Sequence, residues 1–358
     1  MEFQQEFITI NDFLGRDLQV RYYGIMVVVA MLVAAWVAAR LAKQRGYDPD
    51  HVWGGLTWAI FPGIIGARLW FVFFPPLLAV QEGRDTSYML QNFFNTTDGA
   101  IAIWTGGLGI FGAVIGGFIG VWLYCSRFHN RVAFITYVIF YPLTLLLAAI
   151  DWVIVAFVNR IRGREFKRFE LPRFTTTFPN EGIPLLPWLD IAGVVLPLAQ
   201  GIGRWANYIN QELYGGATSL PWGILIDENK RVPPYDMVAK YTSTTRFHPL
   251  FLYESLWNLG AFFVLLYIYN RYRNRLKPGD FFLMYLIQYS FVRFFLEFLR
   301  VEIATIGTTG INSSQATTAI VFVIALAVFV ARRRTAPTQE YDAATPMPDT
   351  KTNIVMAS

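Results

Sequence analysis

The chain has 358 residues, of which 54% are apolar, 17% aromatic and 15% charged, with a formal net charge of +5. Soluble proteins are about 25% charged, so this composition, with a mean hydropathy of +0.38, excludes an ordinary soluble globule and a disordered chain. The positive excess is too small and dispersed for nucleic-acid binding, and the single cysteine, Cys125, excludes an internal disulfide framework and a cysteine-cluster metal site.

What remains is an all-α polytopic membrane protein, read here in chain order. The N-terminus does not read as a signal peptide, because Glu2, Glu6 and Asp12 occupy the region that should be basic. Seven apolar runs follow, over 24–39, 52–80, 100–124, 187–209, 251–270, 281–299 and 316–331. Most are near the ~20 residues that a spanning helix needs. Asp50 is a plausible N-cap for the second. Basic residues close the first run (Arg40, Lys43, Arg45), the third (Arg127, Arg131), the fifth (271–277) and the last (Arg332, Arg333, Arg334). The positive-inside rule makes these ends cytoplasmic. Seven transmembrane helices then place the N-terminus outside and the C-terminus in the cytoplasm.

Residues 132–158 break this simple count. They are mostly apolar but contain Pro142 and Asp151, and both flanks are basic. Both flanks therefore belong on one side of the membrane, and the expectation is a re-entrant or interfacial hairpin turning near Pro142. Residues 160–184 read as a basic cytoplasmic loop able to touch anionic lipid head groups. The domain reading is a membrane-embedded domain over 1–334, with an insertion at about 128–187, and a disordered cytoplasmic tail over 335–358.

Charges inside the apolar runs are few. Arg68, Arg204, Arg293 and Arg300 are the arginines, and Glu254 and Glu297 are carboxylates in apolar surroundings. A mid-membrane arginine costs about 2.5–3.5 kcal/mol on insertion scales, so it should face a protein interior or a wet cavity. Tyr289, Arg293, Glu297 and Arg300 lie at i, i+4, i+8 and i+11, which is one helix face. That stripe is either a structural salt-bridge ladder or a site for an anionic head group. Its two arginines outnumber its one carboxylate, which favours the second. Arg204, Asn207 and Gln211 repeat the theme at i, i+3 and i+7. A guanidinium with amide donors beside it suits a phosphodiester, because its planar fork donates two parallel hydrogen bonds. The alternative is a snorkelling interfacial arginine. Gly109, Ala113 and Gly117, with Gly112 and Gly116, form a small-residue stripe in the third run. Such stripes are usually helix packing, and here they are also a candidate wall for an acyl chain. His248 stands at the start of the fifth run, and Glu254 lies about one turn deeper.

Together these motifs resemble the bacterial prolipoprotein diacylglyceryl transferases. The residues that carry the resemblance are Tyr22-Tyr23-Gly24, Gly66-Ala67-Arg68, Gly106-Gly107 with Gly112, Gly203-Arg204 through Asn207, Asn210, Glu212 and Gly215, His248-Pro249 with Tyr253-Glu254, and Arg293 with Glu297 and Arg300. They stand in family order and cover six of the seven runs. Two departures stand out. Phe111 occupies a position where many members carry a histidine, and residues 128–187 replace a short loop.

The resemblance implies a multi-pass protein of the bacterial inner (plasma) membrane. Its reaction would transfer the diacylglyceryl group of phosphatidylglycerol to the lipobox cysteine thiol of a preprolipoprotein signal peptide, with release of glycerol phosphate. Its partners would be phosphatidylglycerol, such signal peptides and membrane lipids, with no nucleic acid, no cofactor and no metal. Arg204 and Arg293 would be the catalytic residues, binding phosphate and stabilising the leaving group. Tyr23, Arg68, Asn207, Glu212, Glu254, Tyr289, Glu297 and Arg300 would bind substrate. Among these, Tyr23, Asn207 and Glu212 would position the head group, while Glu254, Glu297 and Arg300 would hold the arginines. A free thiol has pKa ~8.5 and needs a base or a positive field. Glu254, Glu212, His248, Tyr23 and the arginines themselves are all candidates, and Cys125 is not, since it lies at the far end of its run. The rival readings are a transporter or channel for a lipid or organic anion, and a non-enzymatic membrane scaffold.

Overall fold

A computed structural model of the chain describes residues 7–13, 16–75, 79–80, 82–103, 106–126, 145–146, 148–153, 155–156, 159–160, 184–237, 240–301, 303 and 310–334. These residues fall into two compact units. One comprises the residues up to Val52 with those from Leu186 onward, and the other comprises Trp53 to Leu185. The expected turn at Pro142, most of the basic loop over 160–184 and the tail over 335–358 lie outside the described residues.

The first unit opens with strands β1 (Phe7–Phe13) and β2 (Arg16–Arg21), paired antiparallel with Ile8 opposite Val20 and a register shift between Ile10 and Phe13. No strand is expected there from the hydropathy pattern. Helix α1 (Tyr22–Gln44) follows directly. Its Ala30, Ala34, Ala38 and Ala42 recur every four residues and are buried, so the small side chains let neighbouring helices come close. They meet α5 (Leu185–Asn210), α6 (Leu250–Tyr272) and α7 (Asp280–Leu296) in one core of Leu41, Ile191, Val194, Phe262, Leu265, Tyr269 and Phe281. Gly193 of α5 lies against the α7 backbone, where a Cβ would sit 2.7 Å from the Phe281 carbonyl oxygen. Helix α8 (Ser313–Arg334) packs along α7.

Two buried aspartates organise one end of this unit. Asp190 of α5 accepts hydrogen bonds from the Gly279 and Phe281 amides, both at 2.9 Å. These are orphan donors at the start of α7. Asp280, fully buried, is held by Arg332 at 3.2 Å and by Arg333. The basic cluster that closes the last run thus also fastens α8 to the start of α7. Between α5 and α6 lies a polar segment with its own core of Tyr214, Ile226 and Phe247. It carries the two-residue strands β3 (Ile224–Leu225) and β4 (Arg246–Phe247). Arg231 is buried inside it and donates to the carbonyls of Ile226, Tyr241 and Thr242.

The second unit holds α2 (Asp50–Phe73) from Trp53 onward, the short α3 (Thr86–Gln91) and α4 (Ile110–Cys125). The glycine stripe brings α2 and α4 into backbone contact. A Cβ on Gly112 would lie 2.0 Å from the Gly66 carbonyl oxygen, and one on Gly116 would lie 2.1 Å from that of Pro62. The Gly112, Gly116 and Gly120 stripe is therefore filled by protein. The third run becomes helical only from Ile110, ten residues later than its apolar start. Gly106 and Gly107 adopt φ of +90° and +69°, which interrupts any helix through them.

All seven apolar runs carry a helix, and five of these helices (α1, α2, α5, α6 and α8) are long and apolar enough to cross a membrane. Helices α4 and α7 are shorter, at 16 and 17 residues.

Candidate active site

The charged residues of α5, α6 and α7 meet in one network. Arg204, in the last third of α5, donates from Nη2 to Glu254 Oε1 at 2.5 Å. Its Nη1 donates to Asn207 Oδ1 at 3.3 Å, one turn along the same helix. Glu254 stands in the first turns of α6, and its other oxygen accepts from Arg293 Nη1 of α7 at 3.4 Å. One carboxylate thereby bridges two arginines from different helices. Arg293 also pairs with Glu297, four residues on. Glu297 Oε1 accepts from Arg300 Nη1 at 3.0 Å, and its Oε2 accepts from Asn312 Nδ2, also at 3.0 Å. Tyr289 faces the Arg204 guanidinium from α7.

Among the described residues, three guanidiniums therefore share two carboxylates in this ion-paired cluster, leaving the cluster one positive charge in excess; the exposed Glu212 carboxylate lies beside it on Asn207. The two carboxylates are closed off, with side chains 3% and 0% exposed, whereas those of Arg204, Arg293 and Arg300 are 21%, 14% and 17% exposed. Within the ion-paired cluster, the surface left to an incoming group thus belongs to the cations. The Nε of Arg300 is buried without a hydrogen-bond partner among the described residues. Buried charges persist when paired and hydrogen-bonded, and among the described residues of this cluster the pairing is incomplete on the cationic side.

Helix α5 stops at Asn210, and the chain reverses there. The Glu212 amide donates to the Asn207 carbonyl at 3.0 Å, and the Glu212 carboxylate accepts from Asn207 Nδ2 at 2.7 Å. Asn207 thus sits between Arg204 and Glu212. Tyr23, at the start of α1, has Glu212 and Arg204 as its electrostatic neighbours. Gly215 is stitched to His248 and Leu299 through backbone bonds of Gly215 and Gly216. A Cβ there would meet His248 Cβ and the Leu299 carbonyl, both at 2.8 Å.

Several expectations change in the structure. Gln211 does not share a helix face with Arg204, because it lies beyond the end of α5 with φ +56°. Helix α7 ends at Leu296, so Glu297 is its cap and Arg300 lies on the segment beyond it. The arginine stripe survives because that segment doubles back beside Gly215. His248 lies outside the ion network; its Nδ1 is 3.2 Å from the Tyr253 hydroxyl, which also accepts from Trp222.

Arg68 belongs to the second unit, and main-chain carbonyls take up its guanidinium. Nε donates to Ala100 at 2.8 Å, Nη2 to Gly99 at 2.6 Å, and Nη1 to Gly106 and Gly107 at 2.7 and 3.1 Å. It pins the loop before α4 onto α2. Asn312 and the polar groups beneath the network join the site without belonging to any charged motif of the sequence. Gln200 donates to the Tyr285 hydroxyl at 2.9 Å, and the fully buried Asn258 donates to the Glu254 carbonyl at 2.9 Å. Asn258, four residues after Glu254 in an apolar run, is a linear signal of a buried polar contact; Asn312, outside the apolar runs, carries none.

A family model described as prolipoprotein diacylglyceryl transferase matches residues 13–160 and 173–331. The chain belongs to that family. It is 34% identical to the phosphatidylglycerol--prolipoprotein diacylglyceryl transferase of Chloroflexus aggregans, over 84% of this chain and 78% of that one. It is 30% identical to the protein of the same name from Pediococcus pentosaceus, over 88% and 87% of the two chains. The family match continues through 128–160 and resumes at 173, so it spans much of the segment that reads as an insertion. Each arginine and carboxylate of the network lies within the matched residues.

Proposed function

We propose that this chain transfers the diacylglyceryl group of phosphatidylglycerol to a prolipoprotein, the first step of lipoprotein maturation. Family membership supports the reaction class, and the network of Arg204, Glu254, Arg293, Glu297 and Arg300 supports the site. The acceptor is the lipobox cysteine thiol of a preprolipoprotein signal peptide. Sulfur attacks the glycerol carbon that carries the phosphate, a C–S bond forms, the C–O bond to phosphate breaks, and glycerol phosphate leaves with the electron pair. The thiol proton passes to solvent or a nearby base before attack.

The observation that carries this reading is the cationic excess of the ion-paired cluster among the described residues, whose two carboxylates are closed off while its three arginines keep some exposure. Negative charge grows on the departing phosphate, and prearranged cations in a dry site stabilise that growth more than they stabilise the bound lipid. Arg204 and Arg293 meet the phosphate. Glu254 and Glu297 orient them, Arg300 and Tyr289 complete the cationic wall, and Asn207, Glu212 and Tyr23 flank the head group. The same positive field favours the thiolate. Arg68 serves indirectly by shaping the loop at Gly106 and Gly107. The proposed topology is seven spans with the N-terminus outside and the C-terminus cytoplasmic, which the placement of basic residues supports, and the proposed location is the bacterial inner membrane, where the lipid donor resides. Residues 1–334 form the membrane domain and 335–358 its cytoplasmic tail.

The test is incubation of the purified protein with phosphatidylglycerol and a lipobox peptide, with mass spectrometry for the diacylglyceryl thioether. A Cys→Ser peptide is the control. Release of lipid or anion across liposomes without covalent product would overturn the proposal in favour of a transporter.

A further inference from the structure

Gln211 is the residue next to the site that the proposed reaction does not use. It is not a glycine, yet its φ is +56°, and Leu213 two residues on has the same φ. Non-glycine residues take this left-handed conformation at an energetic cost and hold it only where surrounding contacts impose it. Glu212, between the two, is thereby turned back towards Asn207.

The imposing contact is visible. Gln211 Nε2 donates to Asp227 Oδ2 at 2.8 Å, and the Asp227 amide donates to Gln211 Oε1 at 2.7 Å. Both ends of one side-chain amide are therefore held by one residue. Asp227 itself is anchored. It follows the buried Ile226, whose carbonyl accepts from the buried Arg231, and its own carbonyl accepts from the Lys230 amide at 2.9 Å. Beneath lies the small core of Tyr214, Ile226 and Phe247.

We propose that Gln211 is a positioning residue: clamped by Asp227, it fixes the turn that sets the Glu212 carboxylate on Asn207 and, through Asn207, the Arg204 guanidinium. The chain of contacts is continuous, from Asp227 to Gln211, through the backbone to Glu212, then to Asn207 Nδ2, and from Asn207 Oδ1 to Arg204 Nη1. The folded polar segment between α5 and α6 thereby sets the geometry of the head-group site. This inference rests on the phosphatidylglycerol reading above.

Thioether formation is measured with the purified full chain, varying phosphatidylglycerol in mixed micelles at saturating lipobox peptide. Gln211→Ala, Gln211→Gly and Asp227→Ala should each raise KM for phosphatidylglycerol by about three- to tenfold as Glu212 and Asn207 shift, and lower kcat by about two- to fivefold as Arg204 loses its aim, with thermal unfolding unchanged. Gln211→Glu alone sets two carboxylates face to face and should be worse. Combined with Asp227→Asn, it restores both hydrogen bonds with the amide and carboxylate exchanged, and KM should return to within about twofold of the parent. A Gln211→Gly variant as good as the parent would show that only backbone freedom matters and would overturn the clamp. So would a double variant no better than Gln211→Glu. Since the parent chain must make product for these values to exist, failure of the clamp is separate from failure of the reaction assignment.

Discussion

Arg204→Ala tests the charge count of the network. Among the described residues of the ion-paired cluster three guanidiniums face two carboxylates, and removing Arg204 leaves two against two. The cationic excess disappears. The fold should persist, because Glu254 keeps Arg293 at 3.4 Å and is not stranded as a lone buried charge. The loss therefore falls on the reaction. A donor aimed at developing negative charge in a closed site is worth about 2.7–4 kcal/mol, or about a 10²- to 10³-fold fall in turnover. Arg204→Lys preserves the count but replaces the fork by a point charge. It cannot reach Glu254 and Asn207 while keeping parallel donors for a phosphate, so turnover should fall about ten- to hundredfold. The assay is thioether formation by mass spectrometry on protein whose thermal unfolding matches the parent. If folded Arg204→Ala retains near-parental turnover, the phosphate assignment is refuted and the network is a structural ladder.

Other outcomes follow from the same geometry. Arg293→Ala should lose activity to a similar degree and also lower the melting temperature, because it removes a partner from both Glu254 and Glu297. Asp190→Ala strands the Gly279 and Phe281 amides in a buried place and should cost about 2–4 kcal/mol in denaturant unfolding, with activity per folded molecule retained. Gly112→Val places side-chain atoms on the Gly66 carbonyl, so α2 and α4 must separate; the expected result is loss of monodisperse protein on size-exclusion chromatography. Arg68→Ala releases the Gly99, Ala100, Gly106 and Gly107 carbonyls, and limited proteolysis should then cut the loop before α4 faster than in the parent.

The amino-acid sequence by itself determined where the helices are and which charges matter. A membrane span must be long and apolar, and a charge inside one is costly, so both stand out as linear signals at Arg204, Glu254 and Arg293. Tertiary structure alone decided how those charges are used. Glu254 bridges Arg204 and Arg293 from helices 50 and 39 residues away along the chain. Arg68, equal to the others in the sequence, spends its donors on backbone carbonyls, and Gln211 leaves the face of Arg204 because α5 ends one residue earlier. Helical spacing predicts neighbours within one helix, whereas a partner on another helix depends on how close the backbones come. That approach was set by Ala38, Gly193 and the core around Tyr269, which are far from the charges they bring together.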